Sequence, residues 1–230
     1  MKVYHWLEAI QFYLLPPRCL LCGGPGRQPL DLCLTCEAEL PWIEHPCPVC
    51  ARPLPAAAPA CGACLRRPPP FERTIALWHY QPPVDRLVTA AKYRGLQPPL
   101  RLFGECLARR LDSAPRPDCL VPVPLHPRRL RQRGFNQSLE IARVVGRRLG
   151  IPLRPGLCRR IRFTPPQQGL SARDRRRNLR GAFVADPAVR GRHVALIDDV
   201  MTTAATVAEI ATTLRRAGVT EVSVWVIARA

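Results

Sequence analysis

The chain has 230 residues, 47% of them hydrophobic, and a formal charge of +18. That apolar content excludes a wholly disordered chain and suffices for one large core or two smaller ones. No apolar run approaches the roughly 20 residues of a membrane-spanning helix, so membrane insertion is not expected.

The first segment, "MKVYHWLEAIQFYLLPP", carries Glu8, lacks a small-residue cleavage site and ends in Pro16-Pro17. It reads as a short amphipathic helix over residues 1–16, not a signal peptide, which places the protein in the cytoplasm. Eight of the eleven cysteines then fall in four CxxC pairs, each separated from the next by ten residues. A CxxC turn aims two thiolates at one tetrahedral centre, and two turns complete a four-cysteine site. The simplest pairing gives one zinc ion to Cys19, Cys22, Cys33 and Cys36 and a second to Cys47, Cys50, Cys61 and Cys64. All four positions of each ion are filled by protein, so the metal is structural. A disulfide framework would need a secretory context, and a thioredoxin-type site uses one pair at a helix start. With few apolar residues of its own, this region, residues 17–70, is expected to need its metal to fold. Cys106, Cys119 and Cys158 are isolated and read as buried thiols.

After the stiff "LRRPPP" at 65–70 the pattern changes to alternating strands and helices. Strands are expected at 74–80, 119–125, 193–199 and 221–229. Helices are expected at 84–95, 100–111, 136–150 and 206–218, several of them stopped by glycine. Residues 71–230 therefore read as an α/β domain with a mostly parallel sheet, whose ligands sit beyond the carboxyl ends of the strands. Charge concentrates here: residues 128–180 hold 16 arginines against Glu140 and Asp174, whereas residues 1–75 hold 7 basic and 6 acidic side chains. A GC-rich coding bias would explain arginine over lysine, but not the clustering. A local excess reads as a field aimed at an anion, with a solvated face as the plainer alternative.

The stretch "VALIDDVMTTAAT" (194–206) ends a buried strand in two adjacent acids, then turns into a helix through small and hydroxylated residues. A helix N-terminus with free N–H groups suits a phosphate, and Thr202, Thr203 and Thr206 add hydroxyl donors. Asp198 and Asp199 would repel that anion, so they face something neutral that donates hydrogen bonds. Two vicinal sugar hydroxyls fit, and a phosphate beside a diol describes a ribose 5-phosphate. A strand-end turn is the plainer reading of the two acids.

This stretch resembles the phosphoribosylpyrophosphate (PRPP) loop of type I phosphoribosyltransferases. The resemblance implies that Asp198 and Asp199 hold the ribose hydroxyls and that residues 202–206 (Thr202, Thr203, Ala204, Ala205, Thr206) bind the 5-phosphate. "VPVPL" resembles the pyrophosphate loop, Pro122 to His126, bringing in Pro124 and Leu125. "RFTPPQQGLSARDRRRNLRGAF" (162–183) takes the place of the family's mobile loop between two core strands. Taken in order, the cysteine pairs, "KYRG", "PVPLHPRRLRQRGFNQS", "TPPQQGLSARDRRRNLRGAF" and the PRPP loop resemble the ComF/GntX competence-type family over nearly all of residues 16–230. That resemblance implies a double zinc ribbon followed by a type I phosphoribosyltransferase-like domain, with Mg2+ accompanying PRPP and a role in DNA uptake or use. It also implies single-stranded DNA and DNA-uptake proteins as partners. One departure is plain: where the family has Thr-Thr-Gly-Ala-Thr, position 204 here is Ala.

Among the arginines, Arg131, Arg133, Arg162, Arg173 and Arg180 are candidates to clamp a pyrophosphate through forked bonds. Pyrophosphate needs two or three such groups, so a polyanion is also a candidate ligand, with Arg128, Arg129, Arg131 and Arg133 contacting a nucleic-acid backbone. His126 is the histidine placed for catalysis. Lys92, in "KYRG", reads most simply as a favourable charge at a helix end. Three activities are compatible with these residues: a phosphoribosyltransferase, a single-stranded DNA-handling accessory protein, and a nucleotide sensor without turnover.

Overall fold

Residues 193–201 alternate between two apolar surroundings: Val194 and Leu196 pack into one cluster, Ala195 and Ile197 into another. The same split occurs in residues 221–229, where Val222, Val224 and Val226 face one way and Trp225 and Ile227 the other. Strands buried on both faces belong to a parallel sheet covered by helices on either side. The computed structural model, which describes residues 17–27, 29–94, 97–164 and 177–230, has this architecture. The helix expected over 1–16 lies outside the described residues.

The elements run β1 (Arg73–His79), α3 (Val84–Arg94), α4 (Gln97–Arg110), β2 (Cys119–Pro122), α5 (Pro127–Arg133), α6 (Gln137–Leu149), β3 (Cys158–Arg160), β4 (Phe183–Ala185), β5 (His193–Met201), α7 (Ala205–Arg216) and β6 (Glu221–Arg229). They follow two short helices of the cysteine-rich region, α1 (Leu34–Ala38) and α2 (Gly62–Arg66). The main sheet has strand order β1-β6-β5-β2, all parallel. α4 and α6 pack against the face that carries Trp78, Trp225 and Ile227, and α7 covers the other. Gly104 permits the close approach of α4 to α6, because a Cβ there would stand 2.4 Å from that of Val144. Beside this contact, buried Glu105 pairs with Arg148 at 3.0 Å.

Two local features differ from the sequence reading. The basic stretch after β2 is helical: α5 starts on the His126 cap, has Pro127 in its first turn and stops at Gly134 in the left-handed region, φ +82°. Those are ordinary start and stop signals, obscured by a segment rich in charge and poor in apolar periodicity. The strands flanking residues 162–183 also pair with each other, antiparallel and outside the main sheet. They are too short, at three residues each, to show a period.

The cysteine-rich region covers the open edge of β1. His79 N–H donates to the Pro41 carbonyl at 2.8 Å, Ile43 N–H to Leu77 at 3.1 Å, and Thr74 N–H to Pro48 at 3.0 Å. The Thr74 hydroxyl adds a bond to Val49 at 2.7 Å. An exposed strand edge invites pairing with other chains, and here it is occupied. Leu30, Leu32 and Leu40 are buried in the same cluster as Trp78 and Phe103, so this region shares its apolar support with the sheet.

Candidate functional site

Cys19, Cys22, Cys33 and Cys36 form one group and Cys47, Cys50, Cys61 and Cys64 another, with the thiol sulfurs of each group within 4.8 Å of one another. A zinc ion with bonds of about 2.3 Å holds its sulfurs roughly 3.8 Å apart. The separations of Cys22 from Cys33, 3.9 Å, and of Cys50 from Cys61, 3.7 Å, fit that tetrahedron. Backbone amides favour the thiolate at one cysteine of each site, while the Cys33 sulfur pushes Cys36 up and burial pushes Cys50 and Cys64 up. Burial opposes ionisation of Cys19, yet N–H groups of Cys22, Cys33 and Leu21 outweigh it and bring the thiol down to about 6. At Cys61 burial is likewise outweighed, chiefly by the Cys64 N–H, with the thiol again at about 6. These are two zinc-binding sites of four cysteines each. Burial instead pushes Cys106 and Cys158 up to about 12, and both thiols, like Cys119, sit in the apolar clusters.

The acidic pair lies at the carboxyl end of β5. Asp199 is buried, 5% exposed, and its Oδ2 pairs with Lys92 Nζ of α3 at 2.8 Å. The Ser138 hydroxyl, in the first turn of α6, donates to Asp198 Oδ1 at 2.9 Å. Asp199 N–H donates to that same oxygen at 3.0 Å. The two acids thus have a cation and a hydroxyl aimed at them from two different helices. Burial raises Asp198 first and the adjacent Asp199 second, and together they push its carboxyl up to about 7. For Lys92 burial alone would lower the ammonium, but Asp199 and Asp198 more than offset it and hold it above the usual range. Neither partner is evident in the sequence. Lys92 has a sufficient local explanation as a helix-end charge, and Ser138 lies 60 residues from Asp198. The "KYRG" motif is the only signal.

Beyond Met201 the chain turns into α7 through Thr202, Thr203 and Ala204, with both threonines exposed. Ala204 takes φ +60°, ψ 8° and supplies no side-chain cap to the helix that begins at Ala205. A left-handed Ala is strained by about 1 kcal/mol or more, at the position where the family pattern has glycine. The first-turn N–H groups of α7, including that of Thr206, receive no acceptor from the cap residue, which suits an anion at this end.

The register puts Pro122 of β2 opposite Ile197, so the Pro122–His126 segment, with Pro124 and Leu125, leaves the sheet beside the acidic pair. Val123 N–H donates to Ile197 at 2.9 Å, and Asn136 Nδ2 donates to the Val123 carbonyl at 3.0 Å. His126 is the cap of α5, its Nδ1 accepting from Arg128 N–H at 3.2 Å. Its ring meets that of Phe163 edge-on at 5.2 Å, and the Arg128 guanidinium lies 4.8 Å over the Phe163 ring. Arg129 is half-buried, Arg131 exposed, and Arg133 donates to Gln137 at 2.7 Å.

Arg162 has a local role. Its Nη2 donates to the carbonyls of Asn178 and Arg180 at 2.8 and 2.7 Å, bracing that turn. Arg173 lies outside the described residues. Arg180, with Arg67 and Arg216, lines a cavity of about 540 Å3 that adjoins Thr203 and Ala204.

A family model described as a double zinc ribbon domain matches residues 10–65. The chain is 38% identical over 224 residues to DNA utilization protein YhgH of Salmonella typhi, covering 94% of this chain and 98% of that protein. It is 34% identical over 223 residues to competence protein F of Haemophilus influenzae, covering 93% and 97%. Among solved structures it is similar to the glutamine PRPP amidotransferase of B. subtilis complexed with ADP and GMP, with 28% identity and a TM-score of 0.39. That match takes in 55% of this chain and spans a quarter of the amidotransferase. With two four-cysteine sites, a parallel sheet flanked by helices and near full-length relatives of this identity, the chain belongs to the ComF/GntX family, alongside DNA utilization protein YhgH and competence protein F.

Proposed function

We propose that the crevice at the carboxyl end of the sheet binds a phosphoribosyl compound, PRPP with Mg2+, and that the protein acts as a phosphoribosyltransferase. The observation that carries this reading is the adjacency of Asp198 and Asp199 to an uncapped helix start. In this reading the carboxylates held by Ser138 and Lys92 are the acceptors for two vicinal hydroxyls. One turn later, first-turn N–H groups and threonine hydroxyls are suited to the 5-phosphate. The Pro122–His126 segment, leaving the neighbouring strand at the same level, is the place for the pyrophosphate. Mg2+ supplies charge neutralisation on the departing pyrophosphate. Lys92 pairs with Asp199, and Asp198 becomes a full acceptor on losing its proton near neutrality. Calorimetry with Mg-PRPP tests the site, followed by pyrophosphate release across candidate acceptors. Binding should be abolished by Asp198→Asn, and failure of the natural protein to bind Mg-PRPP at millimolar concentration would sink the reading.

In the cell the relatives' names, DNA utilization protein and competence protein F, support a role in DNA uptake or use, for which DNA-uptake proteins are the partners we propose. A second reading, single-stranded DNA contact, is favoured by the exposed Phe163 ring under the Arg128 guanidinium, on the helix that also carries Arg129, Arg131 and Arg133. An aromatic ring amid arginines suits sequence-tolerant stacking and backbone contact. Replacing those four arginines by Ser should flatten the salt dependence of oligonucleotide binding. No oligonucleotide binding at low salt removes direct contact. Among the described residues no helix is long and apolar enough to cross a membrane.

A further inference from the structure

Arg229, the last residue of β6, is 6% exposed. Among the described residues no carboxylate pairs with it, and four backbone oxygens accept from it. Nε donates to the Cys50 carbonyl at 3.1 Å, and Nη1 to Met201 at 3.0 Å and to Thr202 and Ala230. A buried guanidinium without a carboxylate is expensive to desolvate, so its counter-charge has to come from elsewhere. It comes from the metal site: a zinc ion with four thiolates carries a net charge of −2, and although burial, the largest effect, pulls Arg229 down, Cys50 and Cys61 act the other way. One planar fork therefore joins the second four-cysteine site to the two residues that open the turn into α7.

We propose that Arg229 is a positioning residue through which the second zinc site, and not the first, sets the conformation of the 202–206 turn and so its affinity for a phosphate ester. The proposal rests on the phosphoribosyl reading of that turn only for the identity of the ligand. Metal at the second site orders Cys50 and supplies the negative charge that keeps the guanidinium in place. The guanidinium in turn holds the Met201 and Thr202 carbonyls, which fixes the backbone from which the 202–206 turn starts. Because coupling between two sites is reciprocal, a phosphate ester bound at the turn tightens zinc at the second site while the first stays indifferent.

Full-length, zinc-loaded protein serves for both arms of the test. In the first arm, Arg229→Lys keeps the charge and loses the fork. It should retain two zinc ions and unchanged amide exchange in α6, while exchange at residues 202–206 rises about tenfold and Mg-PRPP affinity falls by a similar factor. In the second arm, the natural protein is titrated with a zinc chelator with and without Mg-PRPP. The second site should tighten by about that factor and the first should not move. Unchanged exchange at 202–206 in Arg229→Lys overturns the proposal, as does an equal response of the two zinc sites to Mg-PRPP. The chelator titration needs no variant, so it decides the question if Arg229→Lys does not fold. Should the natural protein not bind Mg-PRPP at all, the phosphoribosyl reading falls, and the exchange arm alone upholds or overturns the role of Arg229.

Discussion

The two four-cysteine sites have the same spacing and different surroundings. Every cysteine of the second is buried, its peptide segment pairs with β1, and Arg229 ties it to the turn before α7. The first leaves Cys22 exposed and faces α3 across a groove of about 800 Å3. Among the described residues it is tied to the helices through Glu37, paired with Arg109 of α4 at 3.4 Å. Spacing in the chain decides which cysteines share an ion. What that ion holds in place depends on which elements the fold packs against it.

Metal loss is the strongest way to break the comparison. A structural zinc contributes on the order of 10 kcal/mol to a small metal-dependent fold. Cys61→Ser should leave one zinc per chain, make residues 41–66 sensitive to protease and loosen the β1 edge. Cys22→Ser should also drop the count to one, with a smaller fall in melting temperature. Metal analysis together with limited proteolysis checks both, and equal damage from the two variants would mean the surroundings do not matter.

The side of the crevice formed by α3 depends on charge, not metal. Lys92→Met strands two adjacent acids and should destabilise the protein by about 3 kcal/mol, as expected when one partner of a buried pair is removed. A denaturant titration measures it, and Lys92→Met combined with Asp199→Asn should recover most of the loss. For the same reason Asp199→Asn alone is not a mild change, since it orphans Lys92.

Asp198 gives a smaller and pH-dependent effect. Its folded-state value of about 7 stands above the unfolded value of about 4. The native state therefore binds the proton more tightly, and the stability this contributes is full below about 4 and lost as pH rises through about 7. Asp198→Asn should flatten that decline and raise the melting temperature at pH 8 by a few degrees. Affinity of the natural protein for Mg-PRPP should move the other way, rising through the same window as the carboxylate forms. A melting temperature of the natural protein that is level between pH 6 and 8 would remove the titration.

The smallest expected change is at Ala204. Glycine relieves the left-handed strain but adds freedom to the unfolded chain, so Ala204→Gly should gain less than about 1 kcal/mol. It should tighten Mg-PRPP by less than about tenfold. Paired titrations decide it. If the natural protein fails to bind at millimolar PRPP while Ala204→Gly binds well, the turn is disabled and the enzyme reading falls.

Much of this is legible in the chain itself. The cysteine pairing follows from short-range spacing, and the main strands and helices follow from runs whose period is visible within a dozen residues. The left-handed geometry at 204 is legible only through the resemblance, whose pattern has glycine there. Less legible are α5, whose cap is a histidine, and the β3–β4 pair. Arg162 also takes a local role that composition does not reveal, since an arginine bracing carbonyls and an arginine awaiting a phosphate look identical in sequence.

By itself the sequence determined the two metal sites, the α/β alternation and the acidic strand end with its hydroxylated turn, because each is written in neighbouring residues. Only the tertiary structure decided that Lys92 and Ser138 serve the acids, that the cysteine-rich region covers the edge of β1, and that Arg229 joins the second four-cysteine site to the turn. Ser138 and Asp198 lie 60 residues apart in the chain, and Cys50 and Arg229 lie 179 apart. Pairs so distant meet only where helix packing and strand register bring them together, and neither leaves a local signature in the order of amino acids.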